Sequence, residues 1–213
     1  MGLSFSISFS NAGDLIDFAK RFIIDDRLNS LENDIYRCLP RDGDKKETTC
    51  YAPFPALLYC FSIIDLLGGL YAGNSRSGNT TKNSEAYMGD FLKYTPDKIF
   101  LLQKLYRHKV VHLSQPKSVI QYNKQNIAWR HEENQRSKHL TIDPTPGIVD
   151  LYGKGNISYD GRFLVSIWRL NDDIKNSVVR QPDGYIEKLR IDANLQNKFV
   201  TAINDIFNPS IVS

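Results

Sequence analysis

Hydrophobic positions first alternate with polar ones and then recur at a helical period. Residues 3–9 alternate between apolar side chains and serines, which is typical of a short strand or an extended arm. The next apolar residues recur at intervals near 3.6 positions: Leu15, Phe18, Phe22, Leu28, Leu31 and Ile35. This spacing predicts a helix, and Asn11 with Asp14 resembles a capping pair at its start.

Two later segments carry the start and end signals of helices. Residues 53–73, PFPALLYCFSIIDLLGGLYAG, begin with proline, end with glycine and are almost wholly apolar. Such a helix is expected at the centre of the fold. Residues 95–113, TPDKIFLLQKLYRHKVVHL, open with Thr95 as the N-cap and Pro96 at the first helical position. Pro116 is expected to end this helix.

Alternation and turn residues indicate β-structure in the middle of the chain. Residues 126–143 and 147–159 suggest short β-hairpins, whereas residues 162–179 and 194–207 return to helical spacing. No internal repeat or linker interrupts the pattern. The expected fold class is therefore mainly α, in a single domain spanning residues 1–213 with a β-hairpin insertion at about residues 120–160.

Composition is that of an ordinary soluble globular protein, with 41% hydrophobic and 24% charged residues among 213. No uninterrupted apolar run approaches the roughly 18 residues that span a bilayer, and the N-terminus lacks the features of a secretory signal. A cytoplasmic location without membrane contact is expected. Three cysteines without CxxC spacing speak against a disulfide framework or a zinc knot.

Positive charge is concentrated in one segment. Nine Lys or Arg and two acidic residues lie between Lys98 and His139, whereas the remaining 18 basic and 22 acidic residues leave the rest of the chain negative. All four histidines, Tyr106, Tyr122 and Trp129 also lie in this segment. Cations interleaved with aromatic rings suit RNA as a partner. The candidate contacts are Lys104, Lys109, Lys117, Lys124 and Arg130.

Two plainer interpretations stay open for the same segment. The cations could form a solvated basic face. Tyr122 and Trp129 could be packing residues of the hairpins.

The helix that starts at Thr95 places histidines on an apolar stripe. Leu101, Leu105, His108 and His112 follow the i, i+4, i+7, i+11 spacing of one helix face. Arg107 lies about 140° around the helix from His112, but its long side chain could reach the same groove. A shared phosphate site is therefore possible, and two copies of the stripe could form a dimer interface.

Arg107 and His112, separated by four residues, resemble the Arg-x4–6-His signature of the HEPN superfamily. RHKVVHLS is similar to the Arg-Asn-x-x-Val-His-x-Tyr stretch of HEPN toxins that are paired with minimal nucleotidyltransferases. His108 replaces the asparagine of that stretch, and Ser114 stands where those toxins carry the tyrosine that their partner modifies with AMP.

The resemblance implies a helical bundle that dimerises through this helix and cleaves RNA without a metal or other cofactor. It also implies a toxin–antitoxin or phage-defence role with an antitoxin protein as partner. The alternative is a non-catalytic HEPN-like domain that binds a nucleotide or a protein.

The chemistry of the residues agrees with RNA cleavage. RNA supplies its own nucleophile, the 2′-hydroxyl, so the protein needs a proton-transfer group and a cation for the phosphate. His112 suits the first role, Arg107 suits the second, and His108 is an auxiliary polar group. Asp65 and Ser114 are candidate supporting residues, with Asp65 orienting Arg107 or His112.

Other roles for the same residues stay open. A histidine on an apolar stripe could be a core residue. Asp65 could cap a helix or face water. His108 and His112 could also form a metal pair completed by His131 or His139.

Overall fold

The structure is a computed structural model that describes residues 6–39, 52–74, 77–108, 117–132 and 138–207. Helical residues make up 62% of the described chain, which confirms the prediction of a mainly α protein. The described residues form two compact units. The first lies within residues 1–30, 62–94 and 174–213, and the second within residues 31–61 and 95–173. The single-domain prediction for residues 1–213 stays a prediction.

The described elements include two helices that the sequence pattern did not predict, at Thr80–Asp90 and Tyr185–Ile191. The α-helices are α1 (Ala12–Ala19), α2 (Asn29–Cys38), α3 (Pro53–Ala72), α4 (Thr80–Asp90), α5 (Pro96–Leu101), α6 (Ile167–Val179), α7 (Tyr185–Ile191) and α8 (Ala193–Phe207). Lys20–Leu28 and Leu102–Arg107 are π-helical, and Ser77–Asn79 is a 3₁₀ turn. The strands are β1 (Val119–Tyr122), β2 (Gln125–Glu132), β3 (Thr141–Asp143), β4 (Gly147–Asp150), β5 (Asn156–Tyr159) and β6 (Gly161–Ser166).

The start of α1 confirms the predicted capping pair. Asn11 Oδ1 accepts a hydrogen bond from the Asp14 amide at 3.0 Å, and Asp14 Oδ2 accepts one from the Ser10 amide at 3.1 Å. The first bond satisfies an amide that the helix leaves unpaired, and the second joins the residue before the N-cap to the first helical turn. Residues 6–9 form no strand; within this segment the Ile7 amide donates to Asn204 Oδ1 at 2.6 Å.

Within the first unit, the second half of α3 packs closely on α4 at a glycine. A Cβ on Gly68 would lie 2.7 Å from the Asn83 carbonyl carbon and 2.8 Å from the Ser84 amide nitrogen. Glycine is therefore required there by backbone contact. An aromatic cluster of Tyr71, Tyr87, Phe91 and Tyr185 completes this part of the core.

Helix α3 departs from one sequence expectation. In the part of the chain that the structure describes, it is the one helix long and apolar enough, by length and composition alone, to cross a membrane. Ser62 and Asp65 interrupt the apolar sequence of this helix. A search for uninterrupted apolar runs therefore did not detect it. Half of the apolar 18-residue window of this helix is buried inside the protein.

Burial raises the pKa of the Cys60 thiol on α3 well above its usual range. This thiol is therefore an unreactive core group.

The second unit contains a mixed four-stranded sheet in the order β1-β2-β6-β3, with β2 and β6 parallel. The β1–β2 hairpin turns at Asn123 and Lys124, whose φ angles of 48° and 64° fit a two-residue hairpin turn. Strands β4 and β5 form a separate antiparallel pair. The β-structure therefore includes a mixed sheet in addition to hairpins, and it extends beyond the predicted boundary near residue 160.

Residues 161–166 form strand β6, so the prediction of helix for this stretch is wrong. Phe163, Leu164 and Val165 are successive buried residues, because β6 lies inside the sheet and is covered on both faces. A strand buried on both faces has a continuous apolar sequence that periodicity does not distinguish from a buried helix. Helical structure begins at Ile167, after the strand.

Candidate nucleic-acid interface

The helix that carries the HEPN-like motif begins as predicted. Pro96 is its first residue, and the Thr95 carbonyl accepts from the Ile99 amide at 3.0 Å, although the Thr95 side chain makes no capping hydrogen bond. The helical residues continue through Arg107 to His108. Lys109, His112, Ser114 and the predicted end at Pro116 lie outside the described residues. The geometry of the Arg107–His112 pair is therefore still a prediction.

The leucines of the stripe are covered by the chain itself. Leu101 is 3% exposed and Leu105 is fully buried within the second unit. Both leucines are therefore core residues of the single chain. Homodimerisation through this helix stays a prediction.

The Arg107 side chain is also buried, with 8% exposure. Its Nη1 donates to Gln103 Oε1 at 3.4 Å, one helical turn away. Arg107 does not line the cavity that contains its neighbour His108. A role in contacting phosphate would require its guanidinium to become more accessible.

Three of the predicted site residues meet in one cavity, the basic pocket. It has a volume of about 380 Å³ and is lined by Phe100, Lys104, His108, Lys117, Ile120 and Gln121. Phe100, Lys104 and His108 are spaced by four residues and therefore project from one side of the helix. The Lys117 amide donates to the Leu105 carbonyl at 2.8 Å, which ties the beginning of β1 to that helix. Lys104 and Lys117 are exposed, and His108 is half-buried.

Phe100, which lines the basic pocket, belongs to an aromatic pair with Tyr122. The rings of Phe100 and Tyr122 stack with centroids 5.5 Å apart, and Lys104 Nζ lies 6.0 Å from the Phe100 centroid. A hydrogen bond between the Tyr122 hydroxyl and Asp97 raises the pKa of Tyr122, and this contact fixes the ring beside the helix. The pocket thus combines cations with an exposed aromatic surface.

The other described cations of the predicted set lie elsewhere. Lys124 is exposed in the β1–β2 turn. Arg130 projects from β2, where its Nε lies 3.2 Å from Glu132 Oε1, and it lines a second cavity with Arg162. Of the predicted nucleic-acid contacts, the structure brings together Lys104 and Lys117 only, among the residues that it describes.

Asp65 accepts a hydrogen bond from Ser84 Oγ within the first unit. It also lines a cavity of about 240 Å³ with Asn74, Thr80 and Asn83. Its predicted role in orienting Arg107 or His112 stays a prediction.

His131 packs against aromatic residues of the fold. The His131 ring stacks on Trp129 at 5.8 Å, and Trp129 in turn packs against Phe54 and Tyr106. These contacts fit the interpretation of Trp129 as a packing residue. No group of three His, Cys, Asp or Glu side chains within the described ranges is arranged to hold a metal ion.

The buried side chain of His139 lies in a polar cluster with Ser166, Asp173 and Arg169, of which the Arg169 side chain is 53% exposed. Its Nδ1 accepts from the Ser166 amide at 3.1 Å, and its Nε2 lies 3.6 Å from Asp173 Oδ2. Arg169 Nε lies 3.1 Å from Asp173 Oδ1. Burial, with smaller contributions from the charges of Arg169 and Lys98, lowers the pKa of His139 to about 3. The imidazole is therefore neutral at pH 7.

Sequence reasoning missed Phe100 and Gln121 as pocket residues. The i, i+4 spacing of Phe100 and Lys104 was a usable signal. Gln121 comes from an edge strand whose position beside the helix depends on long-range packing, and no local pattern indicates it.

No family model, no curated protein and no solved structure matches this chain. The resemblance to the HEPN superfamily therefore rests on the motif residues alone.

Proposed function

We propose that this chain is a metal-independent endoribonuclease of the HEPN type and that the basic pocket holds the RNA backbone. The observation that carries the proposal is the convergence of Lys104, His108 and Lys117 on one cavity beside an aromatic pair. The proposed setting is a cytoplasmic toxin–antitoxin or phage-defence system, with an antitoxin protein and a second copy of the chain as partners.

The pocket suits RNA because its groups match the parts of a nucleotide. Two exposed ammonium groups neutralise phosphate oxygens and release counterions. The exposed Phe100 ring offers a surface on which a base can stack. The six lining residues that belong to the described part of the chain include no carboxylate, so none of these six opposes an anionic ligand with a negative charge.

The proposed reaction uses the RNA 2′-hydroxyl as nucleophile. A base takes its proton, the 2′-oxygen attacks phosphorus, and the bond from phosphorus to the 5′-oxygen breaks as an acid protonates that oxygen. The products are a 2′,3′-cyclic phosphate and a 5′-hydroxyl. His112 is the proposed acid-base, and His108 at the pocket is the auxiliary group. Arg107 is the proposed phosphate clamp of the same motif, and Ser114 is a candidate supporting residue.

A second candidate function is favoured by the burial of Arg107. A guanidinium that is 8% exposed and bonded to Gln103 stabilises the helix without contacting phosphate. The chain would then be a non-catalytic HEPN-like domain that binds a nucleotide in the basic pocket. The two candidates differ in whether bound RNA is cleaved.

The test is cleavage of a labelled single-stranded RNA by the purified full chain in EDTA, with product ends identified by mass spectrometry. We expect a cyclic phosphate product, no cleavage by His112→Ala, and weaker RNA binding by Lys104→Ala/Lys117→Ala. Lys82→Ala, which removes an exposed charge on α4, is the matched control. Binding without cleavage would favour the second candidate, and cleavage that needs a divalent ion would exclude the first.

A further inference from the structure

A second cavity of the same unit is lined along β2 by Ala128, Trp129, Arg130 and His131. The parallel register pairs Ala128 with Arg162 and Arg130 with Leu164. Ala128, Arg130 and Arg162 therefore project from the same face, because side chains alternate along each strand and match across it. The β4–β5 pair supplies the other wall. We name this cavity the arginine groove.

The arginine groove has a volume of about 350 Å³. Its lining includes Ala128, Arg130, Ile148, Tyr152, Tyr159 and Arg162. Its volume falls within the range of about 300–1,000 Å³ that is usual for ligand pockets. Ala128 is a small floor residue, and the two guanidinium groups supply the fixed positive charge of a lining that also includes His131 and Asp150.

Both arginines are held by contacts within the fold. The Arg162 guanidinium carbon lies 4.9 Å above the centroid of the Tyr159 ring, a cation–π arrangement. Arg130 Nε is fixed by the carboxylate of Glu132, whose side chain is 8% exposed, whereas the Arg130 side chain is 53% exposed. Held in this way, the two side chains lose less conformational entropy when an anion binds.

An aromatic ring stands exposed on the wall of the groove. Tyr152 is 95% exposed at the β4–β5 turn, and Ile148 on the same wall is 64% exposed. The acidic residue on this wall, Asp150, accepts from the Gly153 amide at 3.0 Å and so caps the turn. An exposed ring beside two cations is the arrangement on which an unpaired base stacks while its phosphate is neutralised.

Two consecutive residues just before β1 line the two different cavities. Lys117 lines the basic pocket, and the next residue, Ser118, lines the arginine groove. Neighbouring residues are about 3.8 Å apart at Cα, so a strand of RNA that leaves one cavity can enter the other around this point.

We infer that the arginine groove binds the continuation of a single-stranded RNA whose backbone occupies the basic pocket, with Arg130 and Arg162 on phosphate and Tyr152 on a base. This inference rests on the proposed function and specifies its substrate as single-stranded and several nucleotides long. Paired bases do not offer their faces to a ring, so duplex RNA is not the ligand of this groove.

The test compares the affinity of the full chain for two labelled 2′-O-methyl oligouridines, a 12-mer and a 3-mer, by fluorescence anisotropy. These probes lack the 2′-hydroxyl nucleophile, so cleavage does not disturb the measurement. We expect Tyr152→Ser to weaken 12-mer binding about tenfold and Arg130→Gln or Arg162→Gln to weaken it several-fold. The 3-mer, which one cavity can hold, should be affected much less. Arg37→Gln, an exposed arginine on α2, is the matched control.

The same variants in the Lys104→Ala/Lys117→Ala background separate this inference from the proposed function. If residual 12-mer binding is lost on adding Arg130→Gln, the groove is a binding site whether or not the basic pocket supports cleavage. Unchanged 12-mer affinity in Arg130→Gln and Tyr152→Ser overturns the groove and leaves the pocket intact. Equal binding of a poly-glutamate peptide, insensitive to Tyr152→Ser, also overturns it and indicates an acidic protein as the ligand.

Discussion

The basic pocket and the polar cluster around His139 use similar residues in opposite ways. Each contains a histidine with cationic neighbours from the second unit. In the basic pocket, Lys104 and Lys117 are exposed and can exchange water for an anionic ligand. In the His139 cluster, the imidazole contacts a backbone amide and lies beside a carboxylate. The pocket is therefore available for binding, while the cluster contributes to stability.

Burial, more than residue type, separates these two roles. The basic segment contains all four histidines, yet two of those described have contacts that belong to the fold. Substitutions in the two regions should therefore change different measurements, one the affinity for RNA and the other the free energy of unfolding.

The largest expected effect concerns the pH dependence of stability that arises from His139. Its folded pKa of about 3 lies below the value of about 6.5 for an unfolded chain. Between these values the unfolded state binds a proton that the native state does not, so stability falls as the pH is lowered through this window. We expect this group alone to cost about 2 kcal/mol of unfolding free energy between pH 7 and pH 5.

Urea unfolding of the wild type and of His139→Gln at pH 7 and pH 5 measures this effect. The variant is expected to be less stable at pH 7 and to lose less on acidification, because glutamine does not titrate. RNA affinity at pH 7 should be the same for both proteins. Equal pH dependence in the two proteins would show that the His139 environment does not exclude the proton.

The sequence predicted local features well and long-range ones poorly. The cap at Asn11 and the start at Pro96 depend on residues within one turn of each other, so their sequence determines them. Strand β6 was missed because burial on both faces removes the alternation that identifies a strand. The predicted nucleic-acid contacts were chosen by charge, and charge alone could not separate Lys104 and Lys117 from Arg130, whose position depends on the strand register.

The next effect in size concerns the salt dependence of RNA binding at the basic pocket. If Lys104 and Lys117 each neutralise one phosphate, their removal takes away about two counterions. For single-stranded RNA the slope of log K against log salt should then become less negative by about 1.4. Lys104→Ala/Lys117→Ala should also keep its unfolding free energy within about 0.5 kcal/mol of the wild type.

Titrations of the 12-mer at salt concentrations from about 50 to about 200 mM measure this change in slope. Lys82→Ala is the control for the loss of a single charge from an exposed site in the first unit. An unchanged slope in the double variant would mean that these lysines do not contact phosphate. The proposed difference between a binding pocket and a stabilising His139 cluster would then be contradicted.

The smallest effect concerns Tyr106, which links the motif helix to the sheet. Its hydroxyl lies 3.0 Å from the carbonyl oxygens of both Arg130 and Phe163, so its proton is shared between β2 and β6. Tyr106→Phe keeps the ring contacts with Trp129 and Phe163 and removes only the hydroxyl. We expect a loss of about 1 kcal/mol in unfolding free energy and no change in the salt dependence of RNA binding. A variant that unfolds like the wild type but binds RNA more weakly would show that this buried residue acts on the pocket, which would contradict the separation of stability from binding.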